Sequence, residues 1–231
     1  MSRFYKEETI IKRFQNGLPY QSSCVNYHGV SKEGKDYIEL LSDYILSFDA
    51  FDLKEYKCRD SFFLHKKTGY KPDTKSEKGL CRYWYYKGFD EEPLKNKLGE
   101  PIEYELNLYG KRVNIDLVSY KNGVIHLIEV KGKVEKDSDF YLSTETLLRC
   151  ALEIKTYSKT IKSQLSVLIQ QLFAAKKIDR TDVRVELDVL VPDNEFFRNQ
   201  IDNKCYPSLN KLLKKWNINI TFYQTFKREY Q

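Results

Sequence analysis

Apolar residues recur along this chain at two spacings, and the switches between them mark out its elements. In residues 36–48, Tyr37, Ile38, Leu41, Tyr44, Ile45 and Phe48 follow a helical period, with Glu39 and Asp43 four residues apart on another face. A weaker helix is predicted over 6–14. Three segments of strand length, 102–109, 113–120 and 124–131, then follow one another across Tyr109-Gly110-Lys111 and Lys121-Asn122-Gly123. Asn-Gly between apolar runs is a strong hairpin signal. The helical period returns at Leu147, Leu148, Ala151, Leu152, Ile154, Tyr157 and Ile161, behind a capping signal at Ser143 or Thr144, and a second helical piece follows Lys162. Residues 183–191 read as a strand closed by Pro192, 207–216 as a short basic helix and 218–225 as a last strand.

A helix, a three-strand meander, a helix and a strand, then a further helix and strand, predict an α/β fold with a mixed central β-sheet flanked by helices, since strand-helix-strand units make parallel crossovers. The chain of 231 residues reads as a single domain. Its core spans about 36–192, with a helix-strand extension over 193–231. Residues 53–100 break the pattern: they are rich in lysine, aromatics and turn formers, and predict an irregular insertion with one short strand near 83–86.

Composition narrows the setting. Hydrophobic residues at 41% and charged residues at 31% suit a soluble globular chain, and a net charge of +6 permits an anionic partner without requiring one. The five cysteines are odd in number and widely spaced, which argues against a disulfide framework and for a reducing, cytoplasmic setting. Cys24 and His28, with Cys58 and His65, match zinc-site spacings poorly. No signal peptide or membrane span is expected.

Against this background three charges in the hairpin stand out. If Asn122 and Gly123 form a two-residue turn, Lys121 faces Val124 and Asp116 comes opposite Glu129. Lys131 lies on the same face, opposite Asn114, while Val113, Ile115, Leu117, Ile128 and Val130 are expected on the other face. Adjacent carboxylates repel unless a proton or cation bridges them. Oxygen ligands favour a hard cation, Mg²⁺ with Mn²⁺ as a substitute, and Lys131 stands where it would orient an attacking water or neutralise charge developing on a phosphate. The first turn brings either Glu103 or Glu105 to face Asp116. A salt-bridged cluster on a solvated sheet face would carry the same residues, but helices expected on both sides of the sheet weigh against it. His126, near the turn and on the face opposite the acids, reads as structural.

Asp116 on the second strand and Glu129-Val130-Lys131 on the third, within this order of elements, resemble the PD-(D/E)xK nuclease superfamily, the restriction endonuclease-like fold with its αβββαβ core. The resemblance covers roughly residues 36–192. It implies that Asp116 and Glu129 ligate metal, that Lys131 is the catalytic lysine, and that the Val130 carbonyl and an acid of the first core helix, here Glu39, add ligands, with Glu105 or Glu103 as a further candidate. Ile115 stands in place of the motif's proline, and Glu153 and Tyr157 where RecB-like members carry Gln and Tyr. Arg149, Lys155 and Lys159 on the following helix are placed to touch phosphates, a pattern that a solvated helix face explains equally well.

The expected function is Mg²⁺-dependent phosphodiester hydrolysis, by a DNA endonuclease in a defence, restriction or DNA-processing role, with DNA preferred over RNA and a homodimer as one way to cut both strands. The alternatives are a catalytically inactive nucleic-acid-binding subunit of the same fold and a protein-interaction scaffold.

Overall fold

Asn122 and Gly123, both at positive φ (48° and 81°), reverse the chain between two strands whose register starts at the pair Lys121–Val124. Such a turn matches the natural twist of its strands, and it is the one the Asn-Gly pair predicts. The computed structural model describes residues 5–15, 23–49, 51–53, 55–69, 76–110, 113–132 and 145–224. Within them β1 (Glu100–Tyr109), β2 (Val113–Lys121) and β3 (Val124–Val130) form an antiparallel meander. Next to β3 lies β4 (Arg184–Pro192), and next to that β5 (Ile218–Tyr223), each parallel to its predecessor. The sheet is therefore mixed and five-stranded, in the order β1-β2-β3-β4-β5.

Eight helices accompany it among the described residues: α1 (Glu7–Gln15), α2 (Tyr37–Leu46), α3 (Glu77–Lys87), α4 (Glu92–Leu98), α5 (Leu147–Ile161), α6 (Leu165–Ala174), α7 (Glu195–Gln200) and α8 (Pro207–Lys215). The chain passes from β3 to β4 through α5 and α6, and from β4 to β5 through α7 and α8. Two crossovers that step the same way across a sheet, with the same hand, lay their helices on the same face. Accordingly Leu148, Leu152, Leu168, Phe197, Leu209 and Leu212 share one large core with Ile125, Leu127, Val189 and Val191 of the strands.

The alternate strand residues Leu117, Ile128, Val130 and Leu190 point the other way, and a strand buried on both faces needs a second layer. That layer comes from the segment expected to be irregular. Leu80, Cys81, Trp84 and Tyr85 of α3, then Leu94 and Leu98 of α4, form a second core with those residues. Residues 83–86 are thus helical rather than a strand. Ser76 caps α3 by accepting the Gly79 amide, and the buried positions 80, 81, 84 and 85 are spaced for one helix face.

Two more expectations shift. The capping positions 143 and 144 lie outside the described residues, and α5 is capped by Thr146, whose hydroxyl accepts the Arg149 amide. Val113 and Ile115 join the larger core instead of sharing a face with Leu117. The alternation breaks between Ile115 and Leu117, and in β1 between their partners Leu106 and Tyr104, at the level where Glu105 sits at φ 47°. No helix of the described residues is long and apolar enough to cross a membrane.

Candidate functional site

The ladder between β2 and β3 runs from Lys121–Val124 to Leu117–Ile128, one step short of Asp116 and Glu129. There the Asp116 carboxylate itself accepts the Val130 amide, at 2.9 Å. Glu129, paired through the backbone with Val189 of β4, turns its side chain toward α5 and meets the Lys131 ammonium at 2.6 Å. Lys131 is held in place by its own backbone: its amide donates to the Leu190 carbonyl, and its carbonyl accepts the Tyr223 hydroxyl, both at 2.9 Å. Gly132 makes that last contact feasible, since a Cβ there would lie 1.8 Å from the Tyr223 hydroxyl. The three residues singled out from the hairpin register thus converge.

Other acids surround the same ammonium. Glu145 lies 2.8 Å from Lys131 Nζ, Glu153 3.1 Å and Glu77 4.0 Å. Glu77 opens α3 and also accepts the Gly132 amide at 3.2 Å, so the segment between α2 and β1 supplies a wall of the site. Arg149, a candidate phosphate contact by sequence, is instead engaged within the cluster: its guanidinium bridges Glu145 and Glu153, each at 3.2 Å. Arg149 and Glu153 are four apart, so one turn of α5 sets Glu153 above Arg149, while Glu145 reaches the guanidinium from just before the cap at Thr146.

Five carboxylates therefore share two cations, and burial sharpens the imbalance. Desolvation lifts Asp116 to about 7, against the pull of Lys131 and the Val130 amide. Burial first, and then the Asp116 charge, push Glu129 well above the ordinary carboxylate range. Burial would lower Lys131, yet Glu129 and Glu153 outweigh it and hold the ammonium charged. Glu153 would also be raised by burial, but Lys131 and Arg149 draw it below its usual value. The acids thus fall into two groups: Glu153 is ionised beside its cations, whereas Asp116 and Glu129 lack enough positive charge. Glu129 is buried against Glu153, and its second oxygen, Oε2, meets no hydrogen-bond donor. An orphaned carboxylate oxygen beside a second under-compensated carboxylate fits a divalent cation.

Most of the remaining expected site residues are committed elsewhere. Glu39 accepts the Ser208 amide with both oxygens and the Leu209 amide with one, capping α8 across the core rather than joining the hairpin acids. Its placement follows from helix chemistry, because unpaired amides at a helix start attract a carboxylate. Glu103 is fully buried, accepts the His65 amide at 2.8 Å and pairs with Lys177 at 3.4 Å. Glu105 pairs with Lys78, but it falls between the pairs Tyr104–Leu117 and Leu106–Ile115 and so comes opposite Asp116, as the first turn predicts for one of the two acids. It borders the site, since its charge and those of Asp116 and Glu129 all help to push up the buried Cys81 thiol, after burial itself. Of Val130 the contact at the site is the amide that Asp116 accepts.

Lys155 donates to the Trp216 carbonyl and Lys159 to Asp52 and the Leu53 carbonyl, so neither shares a surface with Arg149 at the cluster. Cys24 and Cys58 are buried and in no disulfide, and His65 stays with Glu103 instead of completing a zinc knot. Glu145 and Glu153 carried a sequence signal, the four-residue spacing around Arg149; Glu77 carried none.

Comparison of the chain with protein-family models, with curated proteins and with solved structures returns no match in any of the three.

Proposed function

We propose that this chain is a divalent-metal-dependent phosphodiesterase with a restriction endonuclease-like core, acting on DNA. The observation that carries the reading is the meeting of Asp116, Glu129 and Lys131 at the open end of the β2–β3 ladder, with Glu129 Oε2 buried and unpartnered. Mg²⁺ or Mn²⁺ would be held by Asp116 and Glu129, and when bound it supplies the Lewis acidity that polarises a phosphate and acidifies water.

The chain's own residues do the rest. Lys131 carries a permanent positive charge at the position where phosphate charge grows during attack, and the Tyr223 and Leu190 contacts fix its backbone. Glu153 and Glu145 steer the ammonium from one side, so that it stays within reach of Glu129. Arg149, after Lys131, helps keep Glu153 ionised and holds Glu145 and Glu153 in line; it is a positioning residue. Asp116, at about 7, gives up its proton readily to an incoming cation near neutral pH.

Calorimetric titration of Mn²⁺ into the wild type and Glu129→Ala, followed by incubation of plasmid and linear DNA with Mg²⁺, tests the proposal. The expected result is Mn²⁺ binding lost in the variant, with cleavage reduced at least 100-fold by Asp116→Asn and by Lys131→Met. Cleavage that survives all three substitutions would sink it. Salt-sensitive DNA binding with no metal-stimulated cleavage would favour the alternative, an inactive binding subunit of the same fold.

A further inference from the structure

On the opposite face of β3 from Glu129, and nearer the start of the strand, a second group of metal-ligand side chains is gathered. Parallel pairing sets His126 beside Glu186 of β4 and Ile128 beside Asp188. His126 and Asp188 therefore reach toward one another diagonally on one face, and His126 Nδ1 lies 2.8 Å from Asp188 Oδ2 and 3.9 Å from Glu186 Oε2. One ligand atom from each of the three lies within 4.8 Å of the others. A hydrogen-bonded His–Asp pair alone would explain the closest contact. It does not explain the second Asp188 oxygen: Asp188 is fully buried, and its Oδ1 has no hydrogen-bond partner.

A buried carboxylate with one oxygen orphaned is costly, and a cation shared with the neighbouring imidazole and carboxylate relieves it. Ligand atoms held about 2.0–2.2 Å from an ion stand roughly 3–3.5 Å apart, so the two distances need only even out. Imidazole with two carboxylates selects a borderline first-row ion over Mg²⁺. Glu186 is 39% exposed while His126 and Asp188 are closed off, which leaves one side open for entry and for water. Asn219 of β5 donates at 3.4 Å to Glu186 Oε2, the oxygen that faces His126, and holds it on that side.

We propose that His126, Asp188 and Glu186 bind a Zn²⁺-type divalent ion that clamps β3 to β4, separate from the Asp116–Glu129 cluster and independent of any nuclease activity. The ion takes the Nδ1 position now shared with Asp188, and the imidazole proton moves to Nε2.

With only three histidines in the chain, imidazole NMR resolves them individually. Zn²⁺ added to the full chain should shift the His126 ring resonances and raise the thermal midpoint. Glu186→Gln, at a half-exposed position that leaves the cores intact, should weaken the response of the His126 resonances to Zn²⁺ at least 10-fold, and Glu129→Gln should leave that response unchanged. The proposal is overturned if His126 resonances do not respond, if Glu129→Gln alone abolishes binding, or if Co²⁺ added in place of Zn²⁺ gives the thiolate charge-transfer band of a site at the exposed Cys205.

Discussion

Asp116 and Glu129 are carboxylates whose folded environment favours the proton, which reverses the usual effect of acids on stability. A group raised in the folded state contributes stability that is complete below its unfolded value, near 4 for an aspartate, and is lost as pH rises through the folded value, about 7 for Asp116. Glu129, raised by burial and by Asp116, extends the loss upward, while the lowered Glu153 acts only in acid. Urea unfolding of the metal-free protein should therefore show stability falling between pH 4.5 and 8 by on the order of 3 kcal/mol. Mn²⁺ should restore it at pH 8, and Asp116→Asn should flatten the profile. Stability that rises over that range in the wild type would contradict the assignment. These residues were legible in the sequence because a two-residue turn dictates its own register. Glu77 was not, since its amide partner, Gly132, is 55 positions away and its helix was hidden.

That helix shows where pattern reading fails at the scale of elements. Tyr83, Trp84, Tyr85 and Tyr86 favour strands by propensity, and the lysines around them mask the period, so burial against the sheet decides in favour of α3. The meander, the α5–α6 crossover, β4, α8 and β5 were legible because each carries an unbroken period and a turn or proline at its end. The layer over the second face was demanded by the topology: two crossovers on one side leave the other uncovered. The joint that delivers this layer to the sheet is Gly99, which ends α4 at φ 71° and would bring a Cβ within 2.3 Å of the Tyr120 carbonyl. Backbone cannot step aside as a side chain can. Gly99→Ala should lower stability by more than about 2 kcal/mol, read as a depressed thermal midpoint, whereas Gly110→Ala, with open space around it, should cost about 1 kcal/mol or less.

Over the whole molecule, a chain of net charge +6 concentrates acids at its candidate centre. The basic surplus therefore lies outside the cluster, an arrangement suited to gripping a polyanion around a cation-filled site. If the proposed function holds, DNA affinity of Glu129→Gln, a variant expected to bind without cutting, should fall steeply as salt rises from 50 to 200 mM, in a straight line on logarithmic axes. A flat dependence would remove DNA as the partner. The Tyr223 hydroxyl on the Lys131 carbonyl links positions 92 apart in the chain. Synthesis proceeds from the N-terminus, so the hairpin acids leave the ribosome well before the strand that anchors their lysine. A growing chain can fold its first three strands and still lack a finished centre, so the proposed cleavage of DNA would stay silent until the fifth strand has docked.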